Sequence, residues 1–336
     1  MHAPEFWGPK QRCHPAALAL SPLSALYDAA GSVRRGLATP ERAAVPVICV
    51  GNLVAGGAGK TPTALALGRL LRELGATPHF LTRGYGGSAR GPLRVEPARH
   101  DAEAVGDEAL LLAAEAPTWL SPDRVKGAAA AAAGGAGLIV MDDGLQNPSL
   151  AKDLSFVVID GGFGFGNGRV LPAGPLREPV ARGLRRAQAV VLIGPDALGL
   201  GASLDGKGPP VLFAELAPGP EAFRLRERPI VAFAGIGRPA KFFDTLRTIG
   251  AEIVERHAFP DHHRYSEDEI MRLCEAANRH GGKPVTTAKD YMRLGPEARL
   301  MVEVLTVSLE WREPEAIRAL VMPLVERSRR LAERHG

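Results

Sequence analysis

From Val45 onward, short continuous apolar runs alternate with longer stretches whose apolar residues recur at helical spacing. The runs Val45–Val50, Pro78–Thr82, Thr118–Leu120, Gly137–Asp142, Ser155–Asp160 and Ala189–Ile193 predict strands, and Pro62–Leu74, Asp107–Ala116 and Pro122–Ala133 predict helices. Apolar residues fill these strands without an apolar–polar alternation, so both faces of the sheet should be covered. Strand–helix alternation of that kind implies an α/β fold with a doubly wound, mostly parallel sheet, whose ligands gather beyond the carboxyl ends of the strands. Residues 199–220 are rich in Gly and Pro and weakly patterned, and a domain boundary is placed there. A second, smaller α/β unit follows, with strands expected near Ile230–Ala234, Glu252–Arg256, Pro284–Thr287 and Val302–Val307, and a charged last helix from Glu313. The expected division is therefore 1–44, 45–220 and 221–336. No internal repeat is present.

The first 44 residues follow a different pattern. Between Pro15 and Val33, Ala and Leu dominate, with Lys10 and Arg12 on one side and Arg34 and Arg35 on the other. Leu23, Leu26, Tyr27 and Ala30 fall at helical spacing, and Ser21-Pro22 reads as a helix N-cap with proline behind it. No clean apolar core ends in a small-residue cleavage site, so a removed signal peptide is not expected. An arginine-edged amphipathic helix either lies in a bilayer interface or packs on the protein's own core. No uninterrupted apolar run of about 18 residues exists, so no conventional transmembrane helix is expected.

Composition narrows the function classes. The chain has 336 residues, 41 Lys and Arg against 37 Asp and Glu, and a formal charge of +4. That mild excess favours anionic partners such as phosphates and lipid headgroups. No basic cluster is interleaved with aromatics, which argues against nucleic acid. Cys13, Cys49 and Cys274 have no metal-like spacing and suit a reducing compartment.

The densest chemistry lies between the first strand and the first helix of the alternation: Gly56-Gly57-Ala58-Gly59-Lys60-Thr61, then Pro62. Glycines let main-chain N–H groups curl around a polyphosphate, and the helix N-terminus aims its dipole at the same anion. Lys60 can reach the terminal phosphates and the Thr61 hydroxyl can hold Mg²⁺. Val54 stands where the usual P-loop has its first glycine, so this is a shifted, glycine-dense variant. The alternative is a flexible glycine turn, against which stand the strand before and the helix after that the motif requires. A nucleoside triphosphate is the expected ligand.

Other candidates are individually weaker. Asp142-Asp143 ends an apolar strand, as the metal-supporting Walker B carboxylate does. Asp107-Glu108 opens an apolar helix, either as dipole-complementing acids or as a base presented to a hydroxyl. In Asp261-His262-His263, three adjacent residues rarely converge on one metal; an Asp–His pair for proton transfer is a better reading than a metal site, and an isolated structural histidine stays the commonest answer for either one. Thr286-Thr287-Ala288-Lys289-Asp290 is not the guanine-holding Asn-Lys-x-Asp signature. Arg83 and Tyr85 can meet phosphate or sugar, and Arg177-Glu178 can bridge substrate and metal. Two loops, Arg83–Ser88 and Gly161–Pro179, are too Gly- and Pro-rich to be plain connectors.

In this order the segments resemble one family, the tetraacyldisaccharide 4′-kinases of lipid A biosynthesis. The resemblance runs from the N-terminal helix to about Val307. It rests on Val50-Gly51-Asn52-Leu53 with Gly56–Pro62, Thr82–Gly87, Val105–Glu108, Asp142-Asp143-Gly144-Leu145-Gln146, Leu171–Pro179, Ala232–Gly237, Asp261–His263 and Thr286–Asp290. It implies transfer of the γ-phosphoryl group of ATP, with Mg²⁺, to the 4′-hydroxyl of a tetraacylated glucosamine disaccharide 1-phosphate. It also implies a P-loop core, a smaller domain that closes on nucleotide, and a place on the cytoplasmic face of the inner membrane with no obligate protein partner, and it favours membrane docking over self-packing for the 1–44 segment. Asp107 matches the family's base, acting with His262 or His263, of which His262 is favoured. Lys60 and Thr61 match the phosphate and Mg²⁺ ligands, and Asp142 and Asp143 the metal-supporting carboxylates, with Glu178 beside them. Arg83, Tyr85, Glu108, Gln146, Asn147 and Arg177 are expected to contact substrate. Asn147 departs from the family's frequent His, and Asn cannot take up a proton near neutral pH. The rival from another class is a membrane-associated P-loop ATPase or GTPase that switches a protein partner.

Overall fold

The computed structural model describes residues 4–335. Nine strands form the larger sheet: β1 (Val47–Gly51), β2 (Pro78–Thr82), β3 (Leu93–Arg94), β4 (Thr118–Leu120), β5 (Leu138–Asp142), β6 (Leu154–Asp160), β7 (Ala189–Ile193), β8 (Val211–Pro218) and β13 (Val307–Trp311). Four more, β9 (Pro229–Ala234), β10 (Glu252–Ala258), β11 (Lys283–Thr287) and β12 (Glu303–Leu305), form the smaller one. The larger order is β13-β8-β7-β6-β1-β5-β2-β4-β3, parallel except at the two edge pairs, β13–β8 and β3–β4. The smaller sheet, β10-β9-β11-β12, is parallel throughout.

The continuous apolar runs behave as their pattern requires. Along β1, Ile48 and Val50 turn to one face, where Leu67, Leu71 and Phe80 join Ile317, Val321 and Val325 of the last helix, Pro314–His335. Val47 and Cys49 turn to the other, among Leu81, Ile139, Met141 and Val157. With successive side chains on opposite faces and both faces covered, every residue of β1 is buried. The smaller sheet repeats this plan, with Phe242, Phe243 and Leu246 on one side and Ile270, Leu273 and Ala277 on the other.

Two expectations need correction. The single strand expected at Val302–Val307 is two strands in two sheets: β12 pairs with β11, and β13 crosses back to lie antiparallel to β8. Residues from Val307 onward therefore belong with the larger sheet, not with the unit expected to hold 221–336. The Gly- and Pro-rich stretch 199–220 also contains β8, whose outer half is exposed and lacks the continuous apolar run. At the crossing, Pro218 stands opposite Val307, and the Gly219 amide donates to the Thr306 carbonyl at 2.9 Å.

Near the N-terminus, helices Pro15–Ala19 and Ser21–Gly36 lie against the 161–179 loop. Ser21 is not an N-cap: its hydroxyl donates to the Ala17 carbonyl at 2.9 Å and accepts from Arg169. The longer helix turns its polar face inward. The Ser24 hydroxyl donates to the Val170 carbonyl at 2.7 Å and accepts the Ala173 amide, and Asp28 pairs with Arg182 at 2.6 Å. Leu23, Leu26, Tyr27, Val33 and Leu37 are left exposed. Among the described residues, no helix is long and apolar enough to cross a membrane.

Candidate active site

The glycine loop leaves β1 at the centre of the larger sheet and ends in the helix Lys60–Glu73, two residues earlier than the proline suggested. Gly59, at φ +91°, makes that entry. That backbone angle favours glycine, and a Cβ there would also press on the Ile193 Cδ1 methyl at 2.5 Å. The Ala58 methyl is buried, whereas Gly56 and Gly57 are exposed. Asn52 props the loop from beneath, its Nδ2 donating to the Gly56 carbonyl at 3.3 Å. The Ala55 amide donates to the Pro175 carbonyl at 2.7 Å, tying the loop to the 161–179 segment.

At the tip of neighbouring β5, Asp142 Oδ2 accepts the Thr61 hydroxyl at 3.0 Å, and Asp143 lies 3.9 Å from Lys60 Nζ. Asp143 sits at φ +52°, a region that non-glycine residues seldom occupy and that is common where backbone is held for function. Arg177 forks onto both Asp143 oxygens at 2.8 and 3.2 Å. Gln146 donates to the Asn52 carbonyl and to Glu178 Oε1, which also takes Arg186 at 2.6 Å. Burial, then the charge of Glu108, pushes the Asp142 carboxyl up to about 7 against the pull of Lys60. Burial would raise Asp143 too, but Lys60 and Arg177 outweigh it and hold that carboxyl low. Among the described residues, the buried oxygens Asp142 Oδ1 and Glu178 Oε2 have no hydrogen-bond partner. The Asp142 carboxylate, with its lone Oδ1 and with Oδ2 on the Thr61 hydroxyl, offers hard oxygen donors of the kind that suit Mg²⁺.

The opposite wall brings the smaller sheet into contact. Asp107 opens the helix Asp107–Ala113, with Oδ1 accepting the Glu108 amide at 2.9 Å. His262 Nδ1 lies 3.3 Å from Asp107 Oδ2, and the Tyr85 ring lies 5.3 Å from the His262 ring. His262 is itself at φ +60°. His263 turns away: its ring stacks on Phe259 at 4.7 Å and its Nε2 meets Glu269 at 3.1 Å. The two histidines thus serve different places, and Asp261-His262-His263 does not converge on one point. Lys289 Nζ pairs with Glu108 at 3.0 Å, and Arg293 reaches Asp107.

This wall also touches the glycine loop. A Cβ on Gly237 would lie 3.4 Å from Asp261 Oδ2 and 3.9 Å from the Gly57 amide nitrogen, so the turn after β9 passes closely between the two. Arg238 donates to the Gly57 carbonyl at 2.6 Å and to Asp160 at 2.8 Å, and Lys241 joins it on Asp160.

Asn147 Oδ1 accepts from the Ser149 amide and hydroxyl and the Leu150 amide, capping a local turn. Arg83 is exposed at the mouth of its glycine-rich loop. Reading the sequence missed Arg293, Asp160, Arg238, Lys241 and the buried Arg124, whose charge faces Asp143 and Asp142. The motif Thr286–Asp290 pointed near Arg293. Arg238 had only its place after the Ala232–Gly237 motif, and Asp160 only its place at a strand tip.

A glycine loop at the centre of a parallel sheet, a Lys-Thr pair opening its helix, and acidic residues on the adjacent strand define a P-loop nucleotide-binding protein. The chain belongs to the tetraacyldisaccharide-1-P 4′-kinase (LpxK) family, whose model matches residues 16–326. It is 53% identical over 329 residues to the tetraacyldisaccharide 4′-kinase of Paramagnetospirillum magneticum, covering 97% of this chain and 98% of that protein. The enzyme of the same name from Rhodospirillum rubrum is 52% identical over 330 residues, with the same coverage. Among solved structures, the "apo" form of LpxK from Aquifex aeolicus in complex with ATP superposes with a TM-score of 0.73 at 28% identity. That match covers 92% of this chain and 99% of the other.

Proposed function

We propose that this chain transfers the γ-phosphoryl group of ATP to the 4′-hydroxyl of a tetraacylated glucosamine disaccharide 1-phosphate, the 4′-kinase step of lipid A biosynthesis. The observation that carries the reading is the meeting of two walls. The glycine loop with Lys60 and Thr61, and the Asp107–His262 pair, come together around the Gly235–Gly237 turn. A switch protein with no acceptor molecule would leave Asp107 and His262 without a task.

Phosphoryl transfer asks for positioning and charge stabilisation more than covalent chemistry. The amides of residues 56–61 cradle the polyphosphate, and Lys60 offsets charge at its end. Thr61 and Asp142, with Asp143 and Glu178 alongside, would hold Mg²⁺, which when bound neutralises phosphate charge. Asp107 takes the proton of the attacking hydroxyl while His262 orients and shares its charge. Tyr85, Glu108, Gln146, Arg177 and Arg83 line the acceptor side.

A substrate with several acyl chains stays in the bilayer, so the enzyme must work at a surface. We assign that docking to the helix Ser21–Gly36, whose exposed leucines and tyrosine face away from the protein while Arg34 and Arg35 sit in its last turn. The location this implies is the cytoplasmic face of the inner membrane, where ATP is available. The two sheets act as two bodies, 45–220 with 307–336 and 221–306, that close on nucleotide.

The test is ADP release with and without a disaccharide glycolipid, with the lipid checked for the mass of one added phosphate. Lys60→Ala and Asp107→Ala should each lower kcat by about 10²-fold or more, and only Lys60→Ala should also weaken ATP binding. Phosphate-free lipid in the presence of ongoing ADP release would sink the reading, and near-normal turnover of Asp107→Ala would remove Asp107 as base.

A further inference from the structure

Arg293 lies just past the short helix Ala288–Tyr291 of the smaller unit, and its side chain is only 5% exposed. Its Nε donates to Asp107 Oδ2 at 2.7 Å, and one terminal nitrogen reaches the same oxygen. The other terminal nitrogen donates to the Gly235 carbonyl at 2.7 Å and to Asp290 Oδ1 at 2.8 Å. Asp290, wholly buried, also accepts the Gly235 amide at 2.9 Å, the Tyr265 hydroxyl at 2.8 Å and the Thr287 hydroxyl at 2.6 Å. The guanidinium is thereby locked on one side to the smaller sheet and on the other to a carboxylate of the larger one. Four residues earlier, Lys289 grips Glu108, the neighbour of Asp107. Consecutive carboxylates at the start of one helix are thus held by two cations from the opposing unit.

We propose that Arg293 is a positioning residue for phosphoryl transfer, reaching across the cleft to fix the Asp107 carboxylate so that the base is set only when the two sheets are apposed. The inference rests on the reading of Asp107 as the base. Both Asp107 oxygens are accounted for: Oδ1 by the Glu108 amide, Oδ2 by Arg293 and His262. The carboxylate is 2% exposed, and burial alone would favour its protonated, useless form. The His262 hydrogen bond and the charges of Lys289 and Arg293 more than reverse this, holding the carboxyl well below its ordinary range. Around Asp107 stand Glu108 on its own helix, Asp261 and His262 on the loop after β10, and Lys289, Asp290 and Arg293 at and beyond the 288–291 helix. The cations among them are what keep a buried base ionised. Asp290 already neutralises Arg293, so an anchoring role alone would not need the reach to Asp107.

The sign of the pH effect follows. With a neutral side chain at 293, burial regains influence, the Asp107 pKa rises, and activity falls as pH falls. Arg293→Gln should therefore lower kcat by about 10²-fold near neutral pH, with the deficit larger at the acid end of the profile than at the alkaline end. Arg293→Lys keeps the charge but loses the planar fork, so its kcat should drop by roughly tenfold with a profile parallel to wild type. KM for ATP should change less than kcat in both. A uniform loss across pH in Arg293→Gln, or undiminished activity, overturns the proposal. Should Arg293→Gln not retain ATP binding, Arg293→Lys decides: a parallel, lowered profile supports the role and wild-type kcat refutes it. Asp107→Asn separates the two readings. If it is inactive while Arg293→Gln shows a pH-independent loss, only the positioning role fails. If Asp107→Asn turns over normally, the base assignment fails.

Discussion

At the scale of single residues, the Asp261-His262-His263 motif shows how much depends on neighbours. In sequence the two histidines are equivalent. In the fold, one holds a left-handed backbone angle beside Asp107, and the other is packed between Phe259 and Tyr265 with Glu269 on its nitrogen. His262→Ala should therefore cut kcat by about 10²-fold with little change in Tm. His263→Ala should leave turnover of the folded enzyme near wild type and cost about 1–2 kcal/mol of stability, from lost packing and hydrogen bonding. Calorimetry paired with kinetics on both variants checks the division, and the reverse pattern would exchange their roles. Lys60 and Thr61 were marked as candidates by the glycine-loop pattern, whereas Asp142 and Asp107 are weak signals alone and were singled out by the resemblance. Arg293 was not, since nothing around it marks an arginine that bonds a carboxylate 186 positions away. The turn-capping of Asn147 was not legible for a related reason: it is a matter of local geometry that composition does not carry.

At the scale of elements, strands buried on both faces were legible wherever the apolar run was unbroken, as in β1, β5, β6 and β7. β8 and β13 were missed because they are half-exposed partners at one edge, with about a third of their residues facing solvent in a pattern that reads as loop. The N-terminal helix was recognised as amphipathic, but periodicity alone does not say which face turns inward. Ser24 and Asp28 settle it by bonding the 161–179 loop, which leaves the apolar face outermost. Replacing Leu23 and Leu26 together by Glu should weaken sedimentation with anionic vesicles by about tenfold or more, while ATP hydrolysis or binding in detergent stays unaltered. Undiminished vesicle association would show that another surface docks.

At the scale of the whole molecule, the two sheets meet through charge: Arg238 and Lys241 on Asp160, Lys289 on Glu108, Arg264 on Glu103 and Arg293 on Asp107. Burial would raise the Asp160 carboxyl, but the Lys241 hydrogen bond and the Arg238 charge hold it below its ordinary value. A carboxylate with a lowered folded pKa stabilises fully above its unfolded value and loses that contribution as pH drops through the folded one. Asp160→Asn should thus be less stable than wild type by about 1 kcal/mol, a figure discounted because Lys241 is half exposed. The gap should be constant from pH 8 to about 5 and close below about 4, and denaturant titrations at each pH measure it. A gap that persists unchanged in acid would mean that the carboxylate's charge is not what matters.

The crossing between the sheets has a further consequence. The chain departs at Pro218 and comes back at Val307, and these two residues stand side by side in the same ladder. The smaller body is therefore an insertion hung from a pair of adjoining strand ends, with both tethers at one corner. Severing either tether alone leaves it attached by the other, so a protease nicking near residue 220 or near 306 should yield two fragments that still migrate as one particle until the second site is also cut.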